Sequence, residues 1–364
     1  MRILYDGMIY ALQTTGGINR YFSNIISRLP ANFTPMLARP VSSKAPSPVH
    51  PKLRAYPYKE FTFRPGRFAQ WLNKYYLRTV PVYNYPHVIH PTYYFMLNRH
   101  DMRGYRCPFV ITVWDMIHEI FHDSIDPDGK NAFIKRKAVS AAQAIICISG
   151  NTKKDLLERF AIPENKVFVT PLASDIDETI SHGLEKVPER PYFLYVGSRS
   201  SYKNFTGLLT AIHEIVSTNP DVVLTVVGPP FNEEENKLIS RLKLTKHIEH
   251  YGHVGDRHLA KLYRCSIAFV YPSLHEGFGI PLLEAMSCGT PVVASNCSSF
   301  PEVVGDAGLL FDPKANGELT DILLLLLNRP AERDRLIAKG FERAKAFSWE
   351  KTVAQTVAVY RSLV

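Results

Sequence analysis

The run Tyr271-Pro272-Ser273-Leu274-His275-Glu276-Gly277-Phe278-Gly279-Ile280-Pro281-Leu282-Leu283-Glu284-Ala285-Met286 decides how this chain is read. It follows the apolar stretch 267–270, which reads as a buried strand, and it opens a helix expected over 280–287. In an open parallel sheet, ligands gather at the carboxyl ends of the strands. Gly277 and Gly279 let backbone approach such a ligand closely. The helix start beyond them offers free N–H groups and the positive end of a dipole to a phosphate. Glu276 stands before the helix and Glu284 inside it. They need not touch each other, because each carboxylate can accept hydroxyls from a different part of one ligand. Either Glu alone also reads as a cap or a solvated charge.

The same alternation of strand and helix extends on both sides. In the second half, strands are expected at 192–196, 222–227, 267–270 and 292–294, with helices at 204–217, 233–242, 256–264 and 280–287. The first half gives strands at 2–5, 88–90, 109–113, 144–148 and 167–170, and helices at 17–29, 67–77, 130–142 and 152–160. Residues 39–51 read as a loop. Alternating βα units favour parallel sheets covered on both faces, so the fold class is α/β. A length of 364 residues suits two domains of ordinary size. The polar stretch 174–190 separates them, giving domains at 1–173 and 191–348. A last helix, within 349–364, is expected to pack back on the first domain.

Composition is that of a globular protein, with 46% hydrophobic and 21% charged residues. The five cysteines are irregularly spaced and form no metal-binding pattern, so buried, reduced thiols in the cytoplasm are the expectation. Cys147 and Cys265 stand in strand-like runs and Cys288 in a helix-like one. Nothing reaches the roughly 18 apolar residues of a membrane-spanning helix. The net charge of +9 points to an anionic partner. Part of it lies between Lys52 and Arg106, where Arg64, Arg67, Lys74 and Arg78 mix with Trp71, Tyr75 and Tyr76. A solvated helix face and a peripheral membrane-docking helix both fit that segment. Nucleic acid is disfavoured, because no nucleic-acid module is visible.

Three further loops carry polar or glycine-rich text at strand ends. Gly197-Ser198-Arg199-Ser200-Ser201-Tyr202-Lys203-Asn204 follows the strand 192–196, where two cations suit a diphosphate clamp or a plain charged surface. Asn204 reads as a helix cap. Thr15-Gly16-Gly17-Ile18-Asn19-Arg20-Tyr21 starts a helix, and its glycines fit either a tight turn or a phosphate. Thr112-Val113-Trp114-Asp115-Met116-Ile117-His118-Glu119 ends a first-half strand. His118 is a candidate to hydrogen-bond a substrate hydroxyl, or simply a histidine at the core edge.

Residues 276–295, EGFGIPLLEAMSCGTPVVAS, resemble the E-x7-E motif of glycosyltransferase family four, the retaining family with the GT-B fold of two Rossmann-like domains facing across a cleft. The resemblance implies that Glu276 faces the donor sugar and Glu284 the ribose. It implies that backbone at Gly277, Phe278, Gly279 and Ile280 holds sugar hydroxyls and phosphates. The family's loop with an Arg and a Lys matches Arg199 and Lys203 beyond Gly197, and its glycine-rich loop matches Gly16 and Gly17. The strand end Tyr251-Gly252-His253-Val254 corresponds to the family's nucleobase contact, made through backbone and here ending at Val254. The segment Ser298 to Gly305 resembles the family's P-E-V-x-G text, with Glu302 ranked below the other two carboxylates. Many members read His-Asp where this chain reads Trp114-Asp115, so Asp115 or His118 is expected to take over from the missing imidazole.

The text around Arg199 and around Pro301 resembles mannosyltransferase-like members. The expected donor is GDP-mannose, then a UDP-sugar. The expected acceptor is a saccharide or lipid-linked saccharide of a surface polysaccharide. No cofactor and no metal are expected, and Asp175-Ile176-Asp177 matches D-x-D by letters only. Two rival readings are a GT-B sugar-nucleotide enzyme of epimerase type and a non-catalytic sugar-nucleotide binding protein.

Overall fold

The structure is a computed structural model that describes the chain except residues 15, 59–67, 69–70, 72–84, 97–105 and 316. The chain divides into two compact units. One is Met1–Leu172 with Trp349–Val364, the other Ala173–Ser348.

The first unit is built on β1 (Arg2–Asp6), β2 (Thr34–Pro40), β3 (Arg54–Tyr58), β4 (Val88–Ile89), β5 (Val110–Val113), β6 (Ala144–Cys147) and β7 (Val167–Val169). All pairings are parallel, in the order β3-β2-β1-β4 and then β5-β6-β7. A parallel bridge from Ile89 to Phe109 joins the two sets. Buried β-branched and aliphatic side chains in β5 and β6 explain the continuous apolar runs there, since a strand covered on both faces has no polar side.

The C-terminal helix Trp349–Arg361 belongs to this unit. Its Tyr360 hydroxyl lies 2.7 Å from His90 Nδ1 and 3.1 Å from the Tyr5 hydroxyl. The other ring nitrogen of His90 lies 2.9 Å from Thr112 Oγ1. Burial alone pushes His90 down to about 3, so the imidazole stays neutral within this network.

The second unit contains β8 (Tyr192–Val196), β9 (Val223–Val227), β10 (Ile248–Tyr251), β11 (Ala268–Tyr271), β12 (Val292–Ser295) and β13 (Leu309–Phe311). The order β10-β9-β8-β11-β12-β13 is again all parallel. Numbered within the unit it is 3-2-1-4-5-6, the doubly wound order that binds nucleotides. The helix Phe205–Thr218 buries Leu208, Leu209, Ile212 and Ile215, a stripe at helical spacing laid on Tyr195, Leu224 and Val226. Each such side chain contributes about 1.5–3 kcal/mol on burial.

Several expectations need correction. The stretch 174–190 is not a bare linker but part of the second unit. Lys261 Nζ, on the helix Asp256–Cys265, donates to Gly183 O (2.8 Å) and Glu185 O (2.6 Å). Asp177 spends its carboxylate accepting from Thr179 N–H at 2.9 Å. Cys265 ends a helix and is exposed, while Cys147 and Cys288 are buried. Most of the helix expected at 67–77 lies outside the described residues, as do Arg64, Arg67, Lys74, Tyr75, Tyr76 and Arg78. Phe68 and Trp71 are described, half-exposed, with rings stacked at 5.6 Å.

Candidate active site

The chain leaves β8 and β11 in opposite directions across the sheet, so the loops at their carboxyl ends part and leave room for a ligand. After β8, Gly197 has φ +135° and donates its N–H to Val227 O at 2.9 Å. The loop then makes a 3₁₀ turn at Ser201–Lys203 and reaches Asn204 at φ +51°, a left-handed conformation that asparagine tolerates. Asn204 holds the cap position without a side-chain capping bond. Leu274 N–H donates to Tyr202 O at 2.7 Å and stitches the two loops together.

Between those loops Lys203 Nζ bonds the Glu276 carboxylate and donates to the Tyr271 hydroxyl at 3.4 Å. The two charged side chains are only 11% and 14% exposed, so this pair works in a poorly hydrated setting. Burial opposes the ammonium, but the Glu276 carboxylate outweighs it and holds Lys203 above its ordinary value. Burial, then Glu276, pushes the Tyr271 phenol well up, so it remains protonated.

The backbone of Glu276 is fixed by two hydroxyls from the far side of the site. Glu276 N–H donates to Ser298 Oγ at 3.0 Å, and Ser298 and Ser299 hydroxyls lie 2.5 and 3.0 Å from Glu276 O. Ser299 Oγ also lies 2.9 Å from Phe278 O. Gly279 then turns at φ +100° into the helix Ile280–Ser287. A Cβ there would stand 2.9 Å from Leu282 Cδ1 and 3.2 Å from Phe300 Cε1, so both conformation and space call for glycine. One turn on, Glu284 is buried and accepts from the Tyr263 hydroxyl at 3.0 Å.

Arg199 does not join Lys203. Its Nε and Nη2 meet the two oxygens of Glu235 at 2.8 and 3.2 Å, and Nη2 also lies 2.8 Å from Pro229 O and from Pro230 O. The guanidinium stacks on Phe231 at 4.6 Å. Glu235 meanwhile completes a capping box with Asn232 at the start of the helix Glu233–Arg241. The side chain is 4% exposed, and Nη1 is buried with no hydrogen-bond partner among the described residues. Glu235 and Gly228 were not singled out from sequence. An N-x-x-E signature ahead of an expected helix was the available signal for Glu235. Gly228, at φ +154°, would place a Cβ 2.4 Å from Gly197 O, so the ends of β8 and β9 touch backbone to backbone. Beyond β10, Val254 is half-buried and Gly252 has open space at its α-carbon.

In the first unit, Gly16 has φ +159° and precedes the helix Gly17–Ser27. Trp114 is a core residue, edge-on to Tyr21 at 5.0 Å, and its backbone N–H donates to the Tyr94 hydroxyl. Asp115 and His118 share the loop and short helix after β5. Asp115 Oδ1 accepts from Ile117 N–H at 3.1 Å, and the Nδ1 of His118 is buried without a hydrogen-bond partner among the described residues. Among those residues no three His, Cys, Asp or Glu side chains converge as metal ligands.

Two family models tile the sequence. Glycosyltransferase Family 4 matches residues 15–178, and Glycosyl transferases group 1 matches residues 176–343. The chain belongs to this glycosyltransferase family. Among relatives, the O-antigen chain mannosyltransferase B of Escherichia coli is 35% identical over 62% of this chain and 62% of its own length. The MMP alpha-(1->4)-mannosyltransferase of Mycolicibacterium hassiacum is 31% identical over 64% of this chain and 57% of its own. The chain thus spans about three-fifths of the length of these two relatives. Solved structures share the fold end to end. Sucrose-phosphate synthase from Thermosynechococcus elongatus superposes with a TM-score of 0.79 at 19% identity, covering 100% of this chain and 99% of that one. HepE of Anabaena, solved with UDP and glucose, gives 0.72 at 16% identity, with 100% of both chains covered. The GT-B fold expected from residues 276–295 is therefore the fold of this family member. Among the described residues no helix is long and apolar enough to cross a membrane.

Proposed function

We propose that this family member is a retaining hexosyltransferase that takes mannose from GDP-mannose and passes it to a saccharide or lipid-linked saccharide of a surface polysaccharide. The carrying observation is the buried Lys203–Glu276 pair, which joins the loops of β8 and β11 where the strand order reverses. The names of the mannosyltransferase relatives support mannose and support glycan assembly. A UDP-sugar is the second donor.

In this reading the donor lies along the carboxyl edge of the second unit. Glu284 binds the ribose hydroxyls, and backbone near Val254 binds the base. Glu276 faces the transferred sugar. Amides at Gly277, Phe278, Gly279 and Ile280 hold sugar hydroxyls and phosphate at the helix start. Lys203 stays charged and stabilises the negative charge that grows on the departing phosphate. The bond from the anomeric carbon to the phosphate oxygen breaks, and a bond to the acceptor oxygen forms on the same face. The acceptor proton passes to the leaving phosphate oxygen, through an oxocarbenium-like state. Asp115 and His118 hold the acceptor hydroxyl. Arg199 supports the loop after β9 from its anchorage on Glu235.

The test is thermal denaturation with GDP, UDP, ADP and their sugars, since a ligand of the folded state raises Tm. GDP and GDP-mannose should give the largest shifts, and product analysis should show the anomeric configuration kept. A shift with UDP-sugars alone transfers the reading to the second donor.

A further inference from the structure

The helix Lys130–Ala141 places a fully buried ammonium beside the loop that follows β5. Its first turn is held by Asp126, which accepts from Asn131 N–H (3.1 Å), Asn131 Nδ2 (2.9 Å) and Ala132 N–H (2.8 Å). From that start the helix turns Lys135 inward, on the same face as Ala138 and Val139. The Lys135 side chain is 0% exposed. Its Nζ donates to Asp115 O at 2.8 Å and to Glu119 Oε2 at 2.7 Å, and it stands 3.7 Å from Asp115 Oδ1.

A lysine is very costly to bury, and a surface position would serve solubility equally well. Three features indicate what the burial is for. The ammonium grips the backbone carbonyl of Asp115 as well as a carboxylate, so it fixes where the loop runs. Glu119 is itself 7% exposed, and its Oε1 is buried with no hydrogen-bond partner among the described residues. Asp115 alone of the three reaches solvent, with a side chain 25% exposed and Oδ1 already tied to Ile117 N–H.

We infer that Lys135 is the positioning residue of the acceptor site. It holds the 115–119 turn with Glu119 as its buried counter-charge, so that the outer oxygen of Asp115 is presented to the hydroxyl of a saccharide acceptor. The inference rests on the reading of Asp115 as an acceptor-binding group. It explains how a chain with Trp114 in its core, where an imidazole is usual, keeps a fixed polar group at this strand end.

The experiment uses the full chain. Lys135→Met alone strands a buried carboxylate and can unfold the unit, so Lys135→Met with Glu119→Gln is made beside it to remove both charges together. Each protein is assayed for GDP and GDP-mannose binding by Tm shift, for GDP-mannose hydrolysis by water, and for transfer to a panel of mannose-terminated oligosaccharides. The double variant should keep nucleotide binding and hydrolysis within about twofold. Its transfer should fall about a hundredfold, with a raised acceptor KM, the scale expected when a substrate-holding group is displaced by an ångström. Adding Asp115→Asn to the double variant should cost little more, because both changes disable one unit. Hydrolysis and transfer falling together, or a full additional loss from Asp115→Asn, overturns the inference and leaves Lys135 a structural ion pair. A wild type that binds GDP-mannose yet transfers to no saccharide overturns it through the acceptor reading of Asp115. A wild type that binds no nucleotide defeats the donor assignment instead.

Discussion

The two units use the same point of the same sheet order for opposite purposes. In the second unit the reversal lies between β8 and β11, and a charged pair, Lys203 with Glu276, spans it. In the first unit the matching reversal lies between β1 and β4, and a hydroxyl bridges it to backbone on both sides. There Thr92, fully buried, donates to Asp6 O at 2.6 Å and accepts from Ile9 N–H at 2.9 Å. His90 beside it ties the returning C-terminal helix through Tyr360. A buried ion-pair cluster of the first unit sits one strand further out, where Asp115, Glu119 and Lys135 gather after β5. Topology therefore supplies a place for a ligand, and the side chains decide whether that place is opened with charge or sealed with hydrogen bonds.

The sharpest way to break this comparison is to remove the charge. Lys203→Ala should lower the transfer rate by about 10²–10³-fold, the scale seen when one donor to a developing anion is lost. Steady-state rates and a melting curve are read together. Should stability collapse while turnover per folded molecule holds, the pair is a structural bridge, and the two reversals are alike after all. The converse variant, Thr92→Val, strands the Ile9 amide. It should cost about 1–3 kcal/mol of stability and leave turnover of the folded protein unchanged. Glu284→Gln tests the ribose assignment more gently. Loss of a hydrogen bond to a charged group, about 1.5–3 kcal/mol, should weaken GDP binding roughly ten- to hundredfold by titration calorimetry.

What could be read from sequence follows burial. The apolar runs that became β6, β9, β11 and β12 were legible because central parallel strands are covered on both faces. β3 and β13 were missed and β10 was reached only as a strand end. All three are edge strands, carrying Arg54 and Pro57, only three residues, or Glu249 and His250. Edges tolerate polar and proline residues that hide the signal. β2 is internal, yet Pro35 and Pro40 lie within it. At the site, Glu276, Lys203 and Gly279 were legible because glycines and charges crowd a strand-to-helix turn. Lys135 was not, standing among Lys130, Arg136 and Lys137. Its spacing to Ala138, Val139 and Ala142 marks a cation on the apolar stripe, and that pattern was the available clue. Glu235 could be read as a capping residue, but not as the partner of Arg199, since it lies on a separate helix 36 positions away.

Two glycines in the second unit separate conformation from space. Gly279→Ala faces a positive φ and two crowded side chains, and should cost about 1–3 kcal/mol. Gly197→Ala has the same backbone difficulty but nothing within 4 Å of the new methyl, and should cost about 1–2 kcal/mol. If the two melt alike, the packing of Leu282 and Phe300 around Gly279 gives way easily, and the loop that carries Glu276 is softer than its hydrogen bonds indicate.

The smallest effect belongs to the sealed reversal of the first unit. Burial holds His90 near 3, below the value of about 6.5 for an unfolded histidine. Below pH 6.5 the unfolded chain binds a proton that the folded chain refuses. The neutral network is therefore fully stabilising above that pH and is progressively lost as pH falls from 6.5 toward 3. Between pH 7.5 and 6.0 this amounts to about 1 kcal/mol, small enough to need a paired control. His90→Gln, compared with wild type by thermal melts across that window, should lie lower at pH 7.5 and show a flatter slope. A wild-type slope unchanged by the substitution would mean that other groups govern acid sensitivity, and that the first unit's reversal does not depend on a neutral imidazole.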